Sequence, residues 1–501
     1  MIRAGLARTT PSYDGPTPPF APEVAYPELA TLWGDDVRTG PPNPAYAGVR
    51  ASLRALGLDE AHFGSPAWNP LGDLVPRGGK IVLKPNFIRH WNPLAAEGVV
   101  CVVTHGAILR AVADYAWIAC GAEGSVTIAE APQMDCDFDR IRAIVGLDEL
   151  VRFYRERCGL ALEVLDLRQE AVTFRDGIIV SRKPLPGDPA GYRTVDLGGM
   201  SFFADSGLEP DRMRGADYDS GPTGAHHRAG RNEYLLSETV LSADLVINLP
   251  KLKTHKKTGV TLALKNLVGI NGDKNWLPHH CVGGENDGGD EFPEGRPLDR
   301  IRSRAIDWAR PLLHRGIGLG LFRSVRRLEN RARGSDFIRS GNWHGNRTTW
   351  RMCLDLNRCL YYSRPAERPG ASSPPLDLGP RATRRTVLTI LDGIVAGEGD
   401  GPLAPSDRPL GVIVAGTDPL AVDLTAVRLM GFDEKRIPKL CEAMDDAGPR
   451  LTDVRSADDV RVAEVSAEDF EVAERQLADL EPANPFRPHA GWLGHIERAT
   501  S

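Results

Sequence analysis

A chain of 501 residues with 42% hydrophobic and 26% charged residues can bury one large core or two or three smaller ones, and it lies outside the low-hydrophobicity range of disordered chains. Its 61 lysines and arginines against 67 aspartates and glutamates give a formal charge of −6, which excludes a global positive field for nucleic acid, so any anion binding must be local. Eight scattered cysteines with no C-x-x-C pair suit a reducing, cytoplasmic setting, and with neither a signal-type N-terminus nor an uncharged apolar run of about 18 residues, no transmembrane segment is expected.

Residues 1–75 are rich in proline and glycine and read as an irregular N-terminal extension with one short helix near 45–58. Residues 76–280 form the first part of an α/β core: a buried strand at 80–84, a helix at 105–120, a strand at 125–130, a helix at 138–158 and a strand at 162–167. A strand at 243–248 and an apolar helical segment at 259–268, stopped by Gly269, continue the alternation. Residues 281–383 break it and read as an insertion or lid. Its basic, partly amphipathic stretch 315–333 fits either a solvated helix face or a peripheral membrane contact. Residues 384–465 are the second part of the core, with strands at 386–391, 411–415 and 458–465 and a helix at 419–430, and 466–501 form a polar helix and tail. The fold class is α/β: a largely parallel sheet with flanking helices in one or two lobes, plus a helical or irregular insertion.

Ligands of open α/β sheets gather at the carboxyl ends of strands. Three clusters occupy such positions. The strand at 80–84 runs directly into Lys84-Pro85-Asn86. The strand at 243–248 leads into Lys251, Lys253, Thr254, His255, Lys256 and Lys257, then into a helix in which Lys265 and Asn266 interrupt an apolar run. A lysine placed amid leucines needs a partner, and lysines with hydroxyls before a helix N-terminus suit a phosphate or carboxylate. The third cluster, 392–402, reads as a glycine-acidic loop whose Asp392, Glu398 and Asp400 are suited to a divalent metal or to pairing with the lysines. Either Thr104 caps the helix at 105–120 or His105 faces the cleft. Asp418 reads as an N-cap, with Asp423 one turn further on. No G-x-S-x-G, P-loop or G-x-G-x-x-G pattern supports hydrolase, ATPase or dinucleotide assignments.

These pieces together resemble the family called domain of unknown function 362. They are K-P-N at 84–86, T-H at 104–105, E-A-P at 130–132, P-K-L-K-T-H at 250–255, A-L-K-N-L-V-G at 263–269, D-G-I-V-A-G-E-G-D-G-P at 392–402 and G-T-D-P-L-A-V-D at 416–423. Many members of that family carry a ferredoxin-type segment, whereas the cysteines here supply no such motif, so no iron–sulfur cluster is expected. The lysine-threonine-histidine pattern is also similar to the lactate racemase family, which by analogy implies a nickel-pincer nucleotide, His105 and His255 as acid–base residues, and Lys253 and Lys265 as anchors.

The expected function is an enzyme acting on an anionic small molecule. Lys84, Asn86, Lys253, Thr254, Lys256, Lys265 and Asn266 bind it, His105, His255 or Glu398 move protons, and the chemistry is that of an isomerase or oxidoreductase. The alternative is a non-catalytic protein that binds or delivers a metal or cofactor. A third reading is a scaffold that meets a membrane or partner through 281–382.

Overall fold

The computed structural model describes residues 1–34, 37–94, 98–175, 178–215, 221–314, 340–364, 382–482 and 484–499, with isolated positions between 317 and 379. Most of the basic stretch 315–333 and of the proline-rich run 365–380 lies outside the described residues.

In chain order the central sheet comprises β1 (Ile2–Arg8), β2 (Lys80–Pro85), β3 (Ser125–Glu130), β4 (Glu163–Asp166), β5 (Leu245–Leu249), β6 (Lys251–His255), β7 (Val387–Asp400), β8 (Ala404–Gly416), β9 (Val460–Ser466) and β10 (Val472–Gln476). Their spatial order is β10-β9-β1-β8-β7-β5-β2-β3-β4, with β6 alongside β7. The run β7-β5-β2-β3-β4 is parallel throughout, β1 and β9 are parallel, and β8 is antiparallel to both β1 and β7.

The period of two along each strand explains the core. In β2, Ile81 and Leu83 enter one apolar cluster while Val82 enters the other. Leu245 and Ile247 divide from Val246 in β5, and Leu388 and Ile390 divide from Val387 and Leu391 in β7, in the same way. Both faces are buried, as near-continuous apolar strands require. The helices that matter to the site are α1 (Pro44–Ala55), α2 (Gly106–Cys120), α3 (Leu262–Asn266), α4 (Pro297–His314), α5 (Thr349–Tyr361) and α6 (Pro419–Met430). Helices α1 and α2 belong to one apolar cluster, and α5 and α6 to the other.

Four expectations change. The N-terminal segment is not wholly irregular, because β1 sits inside the sheet between β8 and β9. The segment expected as an insertion or lid contributes α5, whose Met352, Cys353, Leu354, Leu356 and Leu360 are fully buried. Residues 392–402 are not a loop: through Asp400 they are the second half of β7, hydrogen-bonded to β8. The polar helix after 466 is replaced by β10 and short turns, and the tail buries Trp492, whose indole N–H donates to the Lys256 carbonyl at 2.9 Å.

Candidate functional site

Three parallel strands change character at the same level. Val246 lies opposite Val82 and Val387, an apolar row, and two residues on Asn248 lies opposite Lys84 and Thr389. The polar row stands at the carboxyl ends of β2 and β5 and near the start of the longer β7, under α3. Asn266, in the last turn of α3, ties the strand ends together: its Nδ2 donates to Asn248 Oδ1 at 2.8 Å and to the Lys84 carbonyl at 3.2 Å. Asn248 in turn donates to the Ala263 carbonyl at 3.1 Å.

Lys84 is fully buried and its ammonium donates to Glu130 Oε2 and, at 2.6 Å, to the Pro85 carbonyl. Burial pushes the Lys84 ammonium down and the Glu130 carboxyl up, against their mutual attraction. Gly269 makes room for this pair, because a Cβ there would lie 2.1 Å from Glu130 Oε1. Asn86 holds its loop through the main chain, its N–H donating to Thr104 Oγ1 at 2.9 Å and its carbonyl accepting from Thr104 N at 3.0 Å.

Around this pair the structure gathers more cations than carboxylates. Lys253 is fully buried and donates to the Val102 carbonyl, Lys257 donates to the His279 carbonyl at 3.0 Å, and Lys274 donates to the Val268 carbonyl at 2.9 Å. Lys265 is the common neighbour. Burial first, and then among other charges that of Lys265, pushes the amines of Lys253, Lys257 and Lys274 and the His255 imidazole downward. Lys257 and Lys274 both fall to about 7. Lys265 itself is part-exposed, and burial pushes it down as well. The carboxylates that act on these lysines are Glu130 and, near Lys257, Asp290 and Glu291.

His255 is fixed by its neighbours: Nδ1 accepts from the N–H groups of Lys257 at 3.0 Å and Thr258 at 3.2 Å. A neutral ring whose Nδ1 accepts carries its proton on Nε2, so His255 offers a hydrogen-bond donor there.

The α3 N-terminus, expected to meet the anion, is already taken. Leu262 enters the helix with φ +59°, a costly conformation for a branched side chain, and Asp423 from α6 accepts from Ala263 N at 2.6 Å and Leu264 N at 3.2 Å. Lys439 lies 3.8 Å from the same carboxylate and donates to the Thr261 carbonyl at 2.7 Å. The cation excess therefore lies at the other end of α3, at Lys265.

A second, closed cluster adjoins the first. Lys251 and Asp392 are both fully buried and pair at 2.9 Å, and Tyr13 donates its hydroxyl to Asp392 Oδ1. The His105 backbone N–H reaches Asp392 Oδ2 at 3.1 Å. Here the expected roles are corrected. His105, not Thr104, caps α2, its Nδ1 accepting from Ala107 N at 3.2 Å. Its ring stacks on Tyr13 at 3.8 Å, and burial pushes its pKa down to about 4. The cap thus occupies His105 Nδ1, and Tyr13 covers one face of its ring.

Glu398 and Asp400 do not join Asp392. Six to eight residues of extended chain hold them roughly 20–26 Å further along β7. Glu398 accepts from Arg487 N at 3.1 Å, and Asp400 lies 3.9 Å from His489 Nε2. The three expected metal ligands are thus strung along one strand. Among the described residues, no group of three or more His, Cys, Asp and Glu side chains is placed to hold a metal ion. Glycines in and just after β7 permit close approach of β6: a Cβ on Gly397 would meet Lys253 Cβ at 3.0 Å, and one on Gly401 would meet the Thr254 carbonyl at 2.0 Å. Thr254 uses its hydroxyl on the Gly399 carbonyl at 2.9 Å, and Lys256 N donates to the Gly401 carbonyl at 3.0 Å, so both serve this packing.

Of the expected site residues, the structure brings together Lys84, Lys253, His255, Lys265 and Asn266. It adds Glu130, Lys257 and Lys274. Lys274 carries no recognisable pattern, whereas Glu130 sits at a strand exit beside that of Lys84 and was legible by position.

The family model described as Domain of unknown function (DUF362) matches residues 186–428, which include β5, β6, α3, β7 and Asp423 but neither Lys84 nor Glu130. A thylakoid-associated protein of Synechocystis sp. is 22% identical over 209 residues, 42% of this chain and 39% of that protein, so the chain spans well under half of its relative's length. No solved structure matches the chain.

Proposed function

The chain belongs to the family defined by Domain of unknown function (DUF362), and from that premise we propose that it binds an anionic small molecule, a carboxylate or a phosphate, on the Lys265 cluster. One observation carries this reading: a part-exposed lysine stands among Lys84, Lys253, Lys257 and Lys274, whose amines are all pushed toward neutrality. Gathering like charges in a poorly solvated region costs stability unless a counter-charge arrives. An anion against Lys265 supplies it, with His255 Nε2–H as a further donor. A free carboxylate, a free phosphate and the phosphate of a cofactor offer the same chemistry.

A catalytic form of this reading is favoured by Lys257 and Lys274, whose values of about 7 suit proton transfer at neutral pH. Isomerase or oxidoreductase chemistry on an anionic substrate would then run through these lysines rather than through His105 or Glu398. A delivery protein would use the same lysines for binding alone.

Calorimetric titration with inorganic phosphate, pyrophosphate and citrate tests the binding. At least one should bind, with affinity falling roughly 10- to 100-fold in Lys265→Ala and Lys253→Ala, the cost of a lost charge-assisted hydrogen bond. If all three fail to bind, or if Lys265→Ala binds like the parent, the reading is wrong.

A further inference from the structure

Helix α4 is amphipathic in the inverted sense. Its inner side carries Asp299 and Ser303, both buried, and the Ser303 hydroxyl donates to Glu291 Oε2 at 2.6 Å. Leu298, Ile301 and Trp308 face outward, 69%, 66% and 77% exposed. At about 100° per residue these three and Ala305 fall within one stripe roughly 80° wide, with Arg302 on one edge and Arg304 on the other. An uncovered apolar stripe bounded by cations marks an interaction surface rather than a solvated face.

Charge says what covers it. Residues 296–339 contain twelve arginines, no lysine and four acidic residues, a local excess of +8 in a chain whose formal charge is −6. Arginine binds phosphate through a planar fork of donors. A second copy of the chain docked on the same stripe would set one basic border against another. A nucleic acid would meet the arginines yet leave Leu298, Ile301 and Trp308 in water. An anionic bilayer answers both features, since tryptophan and branched aliphatics enter the headgroup boundary while arginines reach lipid phosphates. Among the described residues no helix is long and apolar enough to cross a membrane, which leaves lying in its surface.

We propose that α4 docks the protein on an anionic membrane, with Leu298, Ile301 and Trp308 inserted at the acyl boundary and the flanking arginines on lipid phosphates.

Flotation of the full-length protein with vesicles of phosphatidylcholine alone, and with phosphatidylglycerol added, tests this. The protein should float with the anionic vesicles only and be released by salt. Partition should fall at least about tenfold in Ile301→Glu/Trp308→Glu and also drop in Arg302→Gln/Arg304→Gln. Leu298→Gln, a milder change at an exposed site, should weaken flotation with the melting temperature unchanged, which separates docking from folding. Absence of flotation by the parent protein, or equal partition of parent and Ile301→Glu/Trp308→Glu, would overturn the proposal. So would a dimer in light scattering that the same variant dissolves, because the stripe would then belong to a second copy.

Discussion

Glu130 is the acid at the centre of the lysine cluster, and its place depends on a residue with no side chain. Gly269 gives its carbonyl to Ala131 N at 2.7 Å, and any Cβ on it would enter the Glu130 carboxylate. Gly269→Ala should cost about 1–3 kcal/mol by overpacking, measured by denaturant unfolding. The same change displaces the acceptor of the Lys84 ammonium, so the variant should bind anions more tightly even as it loses stability. A variant as stable as the parent would show that the close approach is slack. Lys84 itself was legible in the sequence by its position, directly at the exit of an apolar strand. The pairing was not, because Glu130, although it too stands at a strand exit, is 46 residues away and nothing local joins the two.

At the scale of elements, the five residues of α3 hold their shape through Asp423. The carboxylate caps two N–H groups and faces Lys439, and burial pushes its pKa up to about 6. Asp423→Ala leaves those N–H donors without their acceptor and the buried Lys439 ammonium without its counter-charge, so chemical denaturation should show a loss of about 3 kcal/mol or more. Asp423→Asn, which keeps an acceptor oxygen, should lose less. Equal losses would mean that the cap carries no charge-dependent part. Strands β2, β3, β5 and the first half of β7 could be read from sequence because each is an apolar run of the right length. Strand β1 could not, since Ile2–Arg8 pairs only with residues more than 400 positions away. The glycines in and just after β7 misled in a different way. Gly397 and Gly401 resemble turn residues, yet they serve the approach of β6, and local composition does not distinguish those two uses.

For the whole molecule, the cation cluster sets the pH dependence of the ligand-free protein. Burial pushes the amines of Lys257 and Lys274 down to about 7 in the fold, from the 10.5 of an ordinary lysine. Between those values the unfolded chain holds protons that the folded chain has released, so stability rises with pH from about 7 toward 9. It is lost as pH falls through 7, where both amines charge within the fold. Above about 9 the sign reverses: burial pushes all eight cysteine thiols up from 9.0 and Tyr46, Tyr115, Tyr154 and Tyr234 well above 10, so the unfolded chain ionises first. Melting temperature should therefore peak on the alkaline side of neutrality, and a saturating anion should flatten the climb by holding the lysines charged. A curve that falls steadily from pH 7 to 9 would remove the physical basis for the cluster. The α/β class and the sheet's parallel half were visible in the alternation of elements, while the convergence of Lys84, Lys253 and Lys265 required the chain to fold.

The most direct test is a crystal soaked in selenate, with the anomalous signal of selenium locating the anion. The Lys265 account predicts a peak within hydrogen-bonding distance of Lys265 Nζ, absent from crystals of Lys265→Ala. A peak confined to the surface arginines, or none near Lys265, would contradict it.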